Sequence, residues 1–101
     1  MPNQTHQPPV IPVKLATLIP QPTDGVWQLY GTLGCHLCDE AAQLLRYAQA
    51  VTRFDWRVLD IADLPDAQML ALADKIPVLA TPRGILCYPF TLPEIIQHAG
   101  G

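Results

Sequence analysis

The sequence has few basic residues, few cysteines and no long apolar run. Its six Lys and Arg are scattered along 101 residues and the formal net charge is −3, so no basic stripe is available for a nucleic-acid backbone. No segment approaches the ~18 apolar residues of a membrane span. Residues 1–7 lack the basic and apolar regions of a signal peptide. We therefore expect a cytoplasmic protein that binds neither nucleic acid nor membranes.

Cysteine is also too scarce for a disulfide scaffold, since the chain contains only three. Two of them form a C-x-x-C motif, Cys35-His36-Leu37-Cys38. In a reducing compartment this spacing indicates redox or metal chemistry rather than a structural cross-link. The third, Cys87, falls on a predicted strand, where packing is its expected role.

The prolines divide the chain into two parts. Six of the eleven fall within the first 22 residues, where they prevent a helix or a central strand. We interpret residues 1–24 as a flexible proline-rich tail and residues 25–101 as one domain. Half of all residues are hydrophobic and 15% are charged, which is typical of a globular protein.

Hydrophobic periodicity in this domain predicts the order β-α-β-α-β-β-α. A strand, a helix and a second strand form a βαβ unit, which implies a parallel pair, and the last two strands form a hairpin. The fold class is therefore α/β, with a four-stranded mixed sheet flanked by three helices. The predicted strands cover residues 26–30, 54–61, 77–80 and 85–88, and the predicted helices cover residues 35–50, 63–75 and 91–98.

The cysteine pair lies where the first loop becomes the first helix. Residues three apart share a helix face, so the sulfurs of Cys35 and Cys38 can bond. The positive end of the helix favours a thiolate at Cys35, and such settings lower the pKa of a cysteine. A protonated His36 would add to this effect, whereas Asp39 and Glu40 oppose it. The pattern predicts that Cys35 attacks a substrate disulfide and that Cys38 resolves the mixed disulfide.

Other uses of the two cysteines remain open from the residues alone. A structural zinc site needs four ligands, usually from two close pairs, and the sequence has no second C-x-x-C or H-x₃₋₅-H motif. Both cysteines are otherwise candidates for inert core positions. We expect no metal ligands among them.

Residues 29–41, LYGTLGCHLCDEA, followed by residues 75–79, KIPVL, resemble the glutaredoxin-like branch of the thioredoxin superfamily. The similarity extends over about residues 26–99 and is strongest for small bacterial glutaredoxin-like proteins with a C-H-L-C motif. It implies that Cys35 is the nucleophile, that Cys38 is the resolving thiol and that Pro77 is a cis-proline facing them.

The resemblance also implies a substrate surface. Ile76 would offer backbone groups to a bound peptide or thiol, and the central pair His36 and Leu37 would contact it. Phe90 is expected either to line the groove near Pro77 or to pack in the core. The start of the helix at Thr91 has backbone donors that can hold a carboxylate.

Two positions depart from glutaredoxins that bind glutathione. Thr32 stands where such proteins usually carry a lysine, and Tyr88-Pro89-Phe90-Thr91 replaces their Gly-Gly pair and acidic residue. Glutathione is therefore only one possible cosubstrate beside a disulfide-containing protein, and we expect a monomer without a bound cofactor. The alternatives are a non-catalytic protein-binding module and metal or iron–sulfur ligation by Cys35.

Overall fold

The elements follow one another along the chain in the order predicted from the sequence. The structure is a computed structural model and describes residues 18–100. Its elements are β1 Val26–Gly31, α1 His36–Gln49, β2 Asp55–Asp60, a 3₁₀ turn Ile61–Asp63, α2 Asp66–Leu72, β3 Val78–Thr81, β4 Gly84–Cys87 and α3 Leu92–His98. Within this range no helix has the length and apolar character needed to cross a membrane.

The sheet is mixed, which confirms the predicted fold class. Its strand order is β2-β1-β3-β4. Strands β1 and β2 are parallel, whereas β3 is antiparallel to both β1 and β4. The parallel register sets Gly31 beside Asp60, and the antiparallel register sets Tyr30 beside Val78. The C-terminal end of β1 therefore lies next to the N-terminal end of β3.

Apolar side chains cover both faces of this sheet. All four residues of β3 are buried, as expected for a central strand. One core cluster lies between the sheet and helices α1 and α3, and it includes Trp27, Leu29, Ala41, Leu45, Leu79, Phe90 and Ile95. The cluster on the other face includes Tyr30, Ile61, Leu72, Val78 and Ala80. Alternate residues of β1 and β3 thus point to opposite cores.

The starts of α2 and α3 show how local sequence sets a helix boundary. Thr91 and Glu94 form the predicted capping box, in which the side chain of each accepts a hydrogen bond from the backbone N–H of the other. Helix α2 begins at Asp66 and not at the predicted Asp63. Leu64 is extended with ψ 159° because it precedes Pro65, and this conformation separates α2 from the 3₁₀ turn.

The last residues of the predicted tail contact the domain. Ile19 is buried in the cluster that contains Leu72. The amide of Gln68, on α2, donates a 2.7 Å hydrogen bond to the carbonyl of Leu18. Residues 1–17, which hold most of the predicted flexible tail, lie outside the described residues.

A histidine on α3 is linked to the β3–β4 hairpin. Thr81, fully buried at the end of β3, shares a 2.8 Å hydrogen bond with Nδ1 of His98. The Thr81 hydroxyl also donates to the Gly84 carbonyl and accepts the Arg83 N–H. Burial, and then the charge of Arg83, lower the pKa of His98, although Glu94 partly opposes this.

We predict that His98 makes the fold less stable in mild acid. Because its pKa is lower in the folded chain than the usual 6.5, the folded state binds fewer protons than the unfolded state. The stability contributed by neutral His98 is present above that value and is lost as the pH falls below it. Denaturant unfolding between about pH 7.5 and 5 should show a larger loss for wild type than for His98→Gln. Equal losses in the two proteins would contradict this assignment.

Candidate functional site

Cys35 occupies the N-cap position of helix α1. The preceding Gly34 has φ +78°, a left-handed conformation that favours glycine, and it turns the chain into the helix. Cys35 itself is extended, with φ −88° and ψ 107°. Its Sγ accepts the backbone N–H of Cys38 at 3.2 Å, in the place where serine or aspartate usually caps a helix. The sulfur therefore lies at the positive end of the helix dipole.

The two cysteines of the motif are joined by a disulfide. Their Cα atoms are 5.2 Å apart, within the range that a disulfide requires. Cys38 is buried at 8% exposure, whereas Cys35 is half-buried. The pair therefore has an outer sulfur that a substrate can reach and an inner sulfur covered by the fold.

Gly31 makes the inner position possible. A Cβ atom at this residue would lie 3.0 Å from Sγ and 3.2 Å from Cβ of Cys38, closer than side chains normally approach. The absence of a side chain at the end of β1 thus allows α1 to bring Cys38 against the sheet.

Pro77 and Ile76 lie at the start of β3, beside this end of β1. The Ile76–Pro77 peptide bond is cis, as is Tyr88–Pro89. Pro77 is fully buried, and its carbonyl accepts the N–H of Tyr88 at 3.1 Å. The N–H of Ile76 donates to the carbonyl of Leu72 at 3.1 Å. Of the Ile76 backbone groups that the resemblance assigns to a bound substrate, the N–H therefore already has a partner within the protein.

His36 and Leu37 are exposed between the cysteines. His36 Nε2 lies 3.1 Å from a carboxylate oxygen of Glu40, one turn along α1. The other oxygen of Glu40 accepts a 3.0 Å hydrogen bond from the hydroxyl of Tyr88, and this bond raises the pKa of Tyr88. Leu37 is 48% exposed although its spacing fits the apolar stripe of the helix. These contacts connect the cysteine motif to the segment after β4.

Phe90 and Thr91 contribute less to the surface than the resemblance implied. Phe90 is 3% exposed and belongs to the core cluster, so of its two expected positions the structure has the core. The N–H of Thr91 donates to the Glu94 carboxylate at 2.8 Å, and its hydroxyl accepts the N–H of Glu94. The capping box therefore uses two backbone donors at the start of α3, the N–H groups of Thr91 and Glu94, that a ligand carboxylate would otherwise bind.

Cys87 is separate from the pair. It is half-buried on β4, opposite Val78, and is not disulfide-bonded. Burial raises the pKa of its thiol, although the charge of Lys75 partly opposes this. Among residues 18–100, no three His, Cys, Asp or Glu side chains come together in a group suited to a metal ion.

The chain is similar to a known protein family and to solved structures. Residues 27–99 match the family model described as Glutaredoxin-like domain (DUF836). The chain belongs to this family.

Two solved structures of the target protein XcR50 from X. campestris are similar to the chain. Its X-ray structure is 33% identical with a TM-score of 0.59, and the match covers 71% of this chain and 92% of that one. Its solution structure is 34% identical with a TM-score of 0.56 and coverage of 71% and 88%. No curated protein matches the chain significantly.

Sequence reasoning about this glutaredoxin-like domain missed a groove of about 360 Å³ beside the cysteine pair. The loop of residues 31–34 and Cys38 form one side of it, and β2 and the 3₁₀ turn form the other. Three carboxylates line it, those of Asp39, Asp60 and Asp63. The Gly31–Asp60 pairing that brings β2 to this place is a long-range contact, and no local pattern in the sequence reveals it.

We predict that Gly31→Ala destabilises the fold by about 1–3 kcal/mol, because overpacking displaces Cys38 or the end of β1. At a strand position with open space around it, Gly→Ala would instead stabilise the fold, because alanine loses less conformational entropy than glycine on folding. Denaturant unfolding of the reduced protein measures the change. The matched control is the same substitution in a Cys38→Ala background, which removes the Sγ atom at 3.0 Å. An equal cost in both backgrounds would show that Sγ of Cys38 is not the group displaced, since the Cβ of residue 38 remains in both.

Proposed function

We propose that this chain is a thiol–disulfide oxidoreductase that uses Cys35 as its nucleophile and Cys38 as its resolving thiol. One observation carries the proposal. The pair bridges the first turn of a helix with the half-buried sulfur at the N-cap and the buried sulfur behind it. This arrangement gives a substrate access to one sulfur only, as a two-step exchange requires.

In the first step the Cys35 thiolate attacks one sulfur of a substrate disulfide. A new S–S bond forms, the substrate S–S bond breaks, and one substrate thiolate leaves. The helix dipole and the N–H of Cys38, which is 3.2 Å from Sγ in the oxidised pair, favour the thiolate form of Cys35. Only the thiolate is nucleophilic, so this position supports attack.

In the second step Cys38 loses its proton and attacks Sγ of Cys35. The mixed disulfide breaks, the second substrate thiolate leaves and the Cys35–Cys38 disulfide forms. Two electrons have then passed from the pair to the substrate. An external thiol reductant restores the dithiol, and no bound organic cofactor takes part.

The polar contacts around the site favour a protein disulfide over glutathione as the substrate. The Thr91 N–H, at the helix start that could hold a glutathione carboxylate, already donates to Glu94. Thr32 also provides no cation for a glutathione carboxylate. We further propose that the chain works as a monomer in the cytoplasm, where a C-x-x-C pair can cycle against the thiol pool.

We predict that Cys35→Ser abolishes disulfide reduction, because serine has no thiolate at neutral pH. Cys38→Ser should instead accumulate a mixed disulfide on Cys35, since the resolving step is lost. The matched control is Cys87→Ser, which should retain full activity. Single-turnover reduction of a protein disulfide, followed by alkylation and intact mass, measures all three.

Retention of activity by Cys35→Ser would refute the mechanism. If Cys35 and Cys38 in wild type do not oxidise and reduce reversibly in thiol redox buffers, the oxidoreductase proposal is wrong and the non-catalytic binding module becomes the better interpretation. Metal or colour in anaerobically purified protein, lost in Cys35→Ser, would favour ligation by Cys35.

A further inference from the structure

The groove beside the cysteine pair is acidic. It is lined by the carboxylates of Asp39, Asp60 and Asp63, and none of the described residues that line it carries a positive charge. Its other walls are small or uncharged, including Gly31, Thr32 and Gly34. Of the two cysteines it is Cys38 that lines the groove, so a substrate group that extends from Cys35 past the 31–34 loop enters a region lined by negative charge.

Each carboxylate has a structural reason for its position. Asp60 ends β2 beside Gly31, the residue against which Cys38 packs. Its Oδ1 accepts the N–H of Ala62 at 2.9 Å, which fixes the side chain as the N-cap of the 3₁₀ turn. Asp63 ends that turn, and Asp39 lies in the first turn of α1. The backbone thus holds the three charges around the groove.

Two cations of the described chain pair with carboxylates outside the groove. Arg57, on β2, lies 3.9 Å from Asp24, and Lys75, which precedes the cis-proline segment, pairs with Asp74 at 3.1 Å. These are exposed pairs with little net charge to offer an anionic substrate.

We propose that the Cys35–Cys38 site selects disulfides flanked by cationic groups and disfavours anionic disulfides such as oxidised glutathione. The inference rests on the proposed oxidoreductase function and adds the substrate class to it. Ammonium or guanidinium groups next to the scissile S–S bond lie toward Asp60 and Asp63 while Cys35 attacks one sulfur. The exchange is the two-electron reaction given above, with an external dithiol as the reductant.

The test compares single-turnover rates of the pre-reduced protein with three small disulfides. Cystamine is a dication, bis(2-hydroxyethyl) disulfide is neutral and dithiodipropionate is a dianion. Each rate is compared between variants for one disulfide, so differences in intrinsic reactivity cancel. At about 0.1 M salt, and relative to the neutral disulfide, we expect Asp60→Asn and Asp63→Asn each to slow cystamine about twofold, and the double variant to slow it roughly fourfold. On the same scale the dianion should accelerate by similar factors, and any change in rate with the neutral disulfide reports the reactivity of Cys35 alone.

The matched control is Asp55→Asn. It makes the same substitution at the first residue of β2, whereas Asp60 is the last, about 16 Å away and beyond the Debye length at 0.1 M salt. Its rates should equal those of wild type with all three disulfides. In Asp60→Asn the new amide oxygen can still accept the Ala62 N–H, and thermal melting verifies that the variants fold. The effects of Asp60→Asn should disappear near 1 M salt.

The two proposals fail in different ways. If wild type reduces none of the disulfides, the oxidoreductase is wrong and the substrate class falls with it. If it reduces all three but Asp60→Asn and Asp55→Asn behave alike, only the charge selection is wrong. A peptide disulfide flanked by lysines, tested beside its glutamate counterpart, identifies the source of the cation. A ratio of wild-type to Asp60→Asn rates that is larger for the lysine peptide than for cystamine indicates a polypeptide, and a ratio larger for cystamine indicates a small molecule.

Discussion

The contact between Gly31 and Cys38 is the constraint on which the rest of the site depends. Helix α1 packs against β1 so closely that a Cβ at residue 31 would lie 3.0 Å from Sγ of Cys38. With Cys38 held there, helical geometry sets Cys35 one turn earlier, at the N-cap. The outer sulfur therefore lies at the end of the helix because the inner sulfur lies against the sheet. Packing of the core fixes the position of the disulfide.

The central strand β3 extends this constraint to the opposite side of the site. Its antiparallel pairing with β1 brings Pro77 next to the cysteine loop, and burial of all four strand residues holds it there. The same packing uses the neighbouring backbone donors internally, at Ile76 and at Thr91. These two backbone donors are therefore not free to bind a ligand, which gives shape and long-range charge a larger part in the recognition proposed above.

The sequence predicted the elements well and the groove not at all, for physical reasons. Apolar periodicity and the Thr91–Glu94 capping box are local signals, and the helix and strand order followed from them. The sequence predicts the start of α2 too early, because a proline fits the first turn of a helix as well as the N-cap position that Pro65 occupies. The C-x-x-C motif at a helix start gave the reactive pair. The use of the Ile76 N–H by Leu72, like the pairing of Gly31 with Asp60, depends on tertiary contacts that local patterns do not contain.

The negative charge near the cysteine pair opposes formation of the Cys35 thiolate, and the proposed cationic substrate reduces this opposition. Carboxylates near a thiol disfavour its thiolate form, so Asp39, in the first turn of α1, opposes the stabilisation that the helix end gives to Cys35. A cationic disulfide in the groove reduces this opposition at the moment when the thiolate is needed. An anionic disulfide increases it. The same charges that select the substrate would thus also link activation of the nucleophile to substrate binding, while the fold common to the family keeps the sulfur atoms in place.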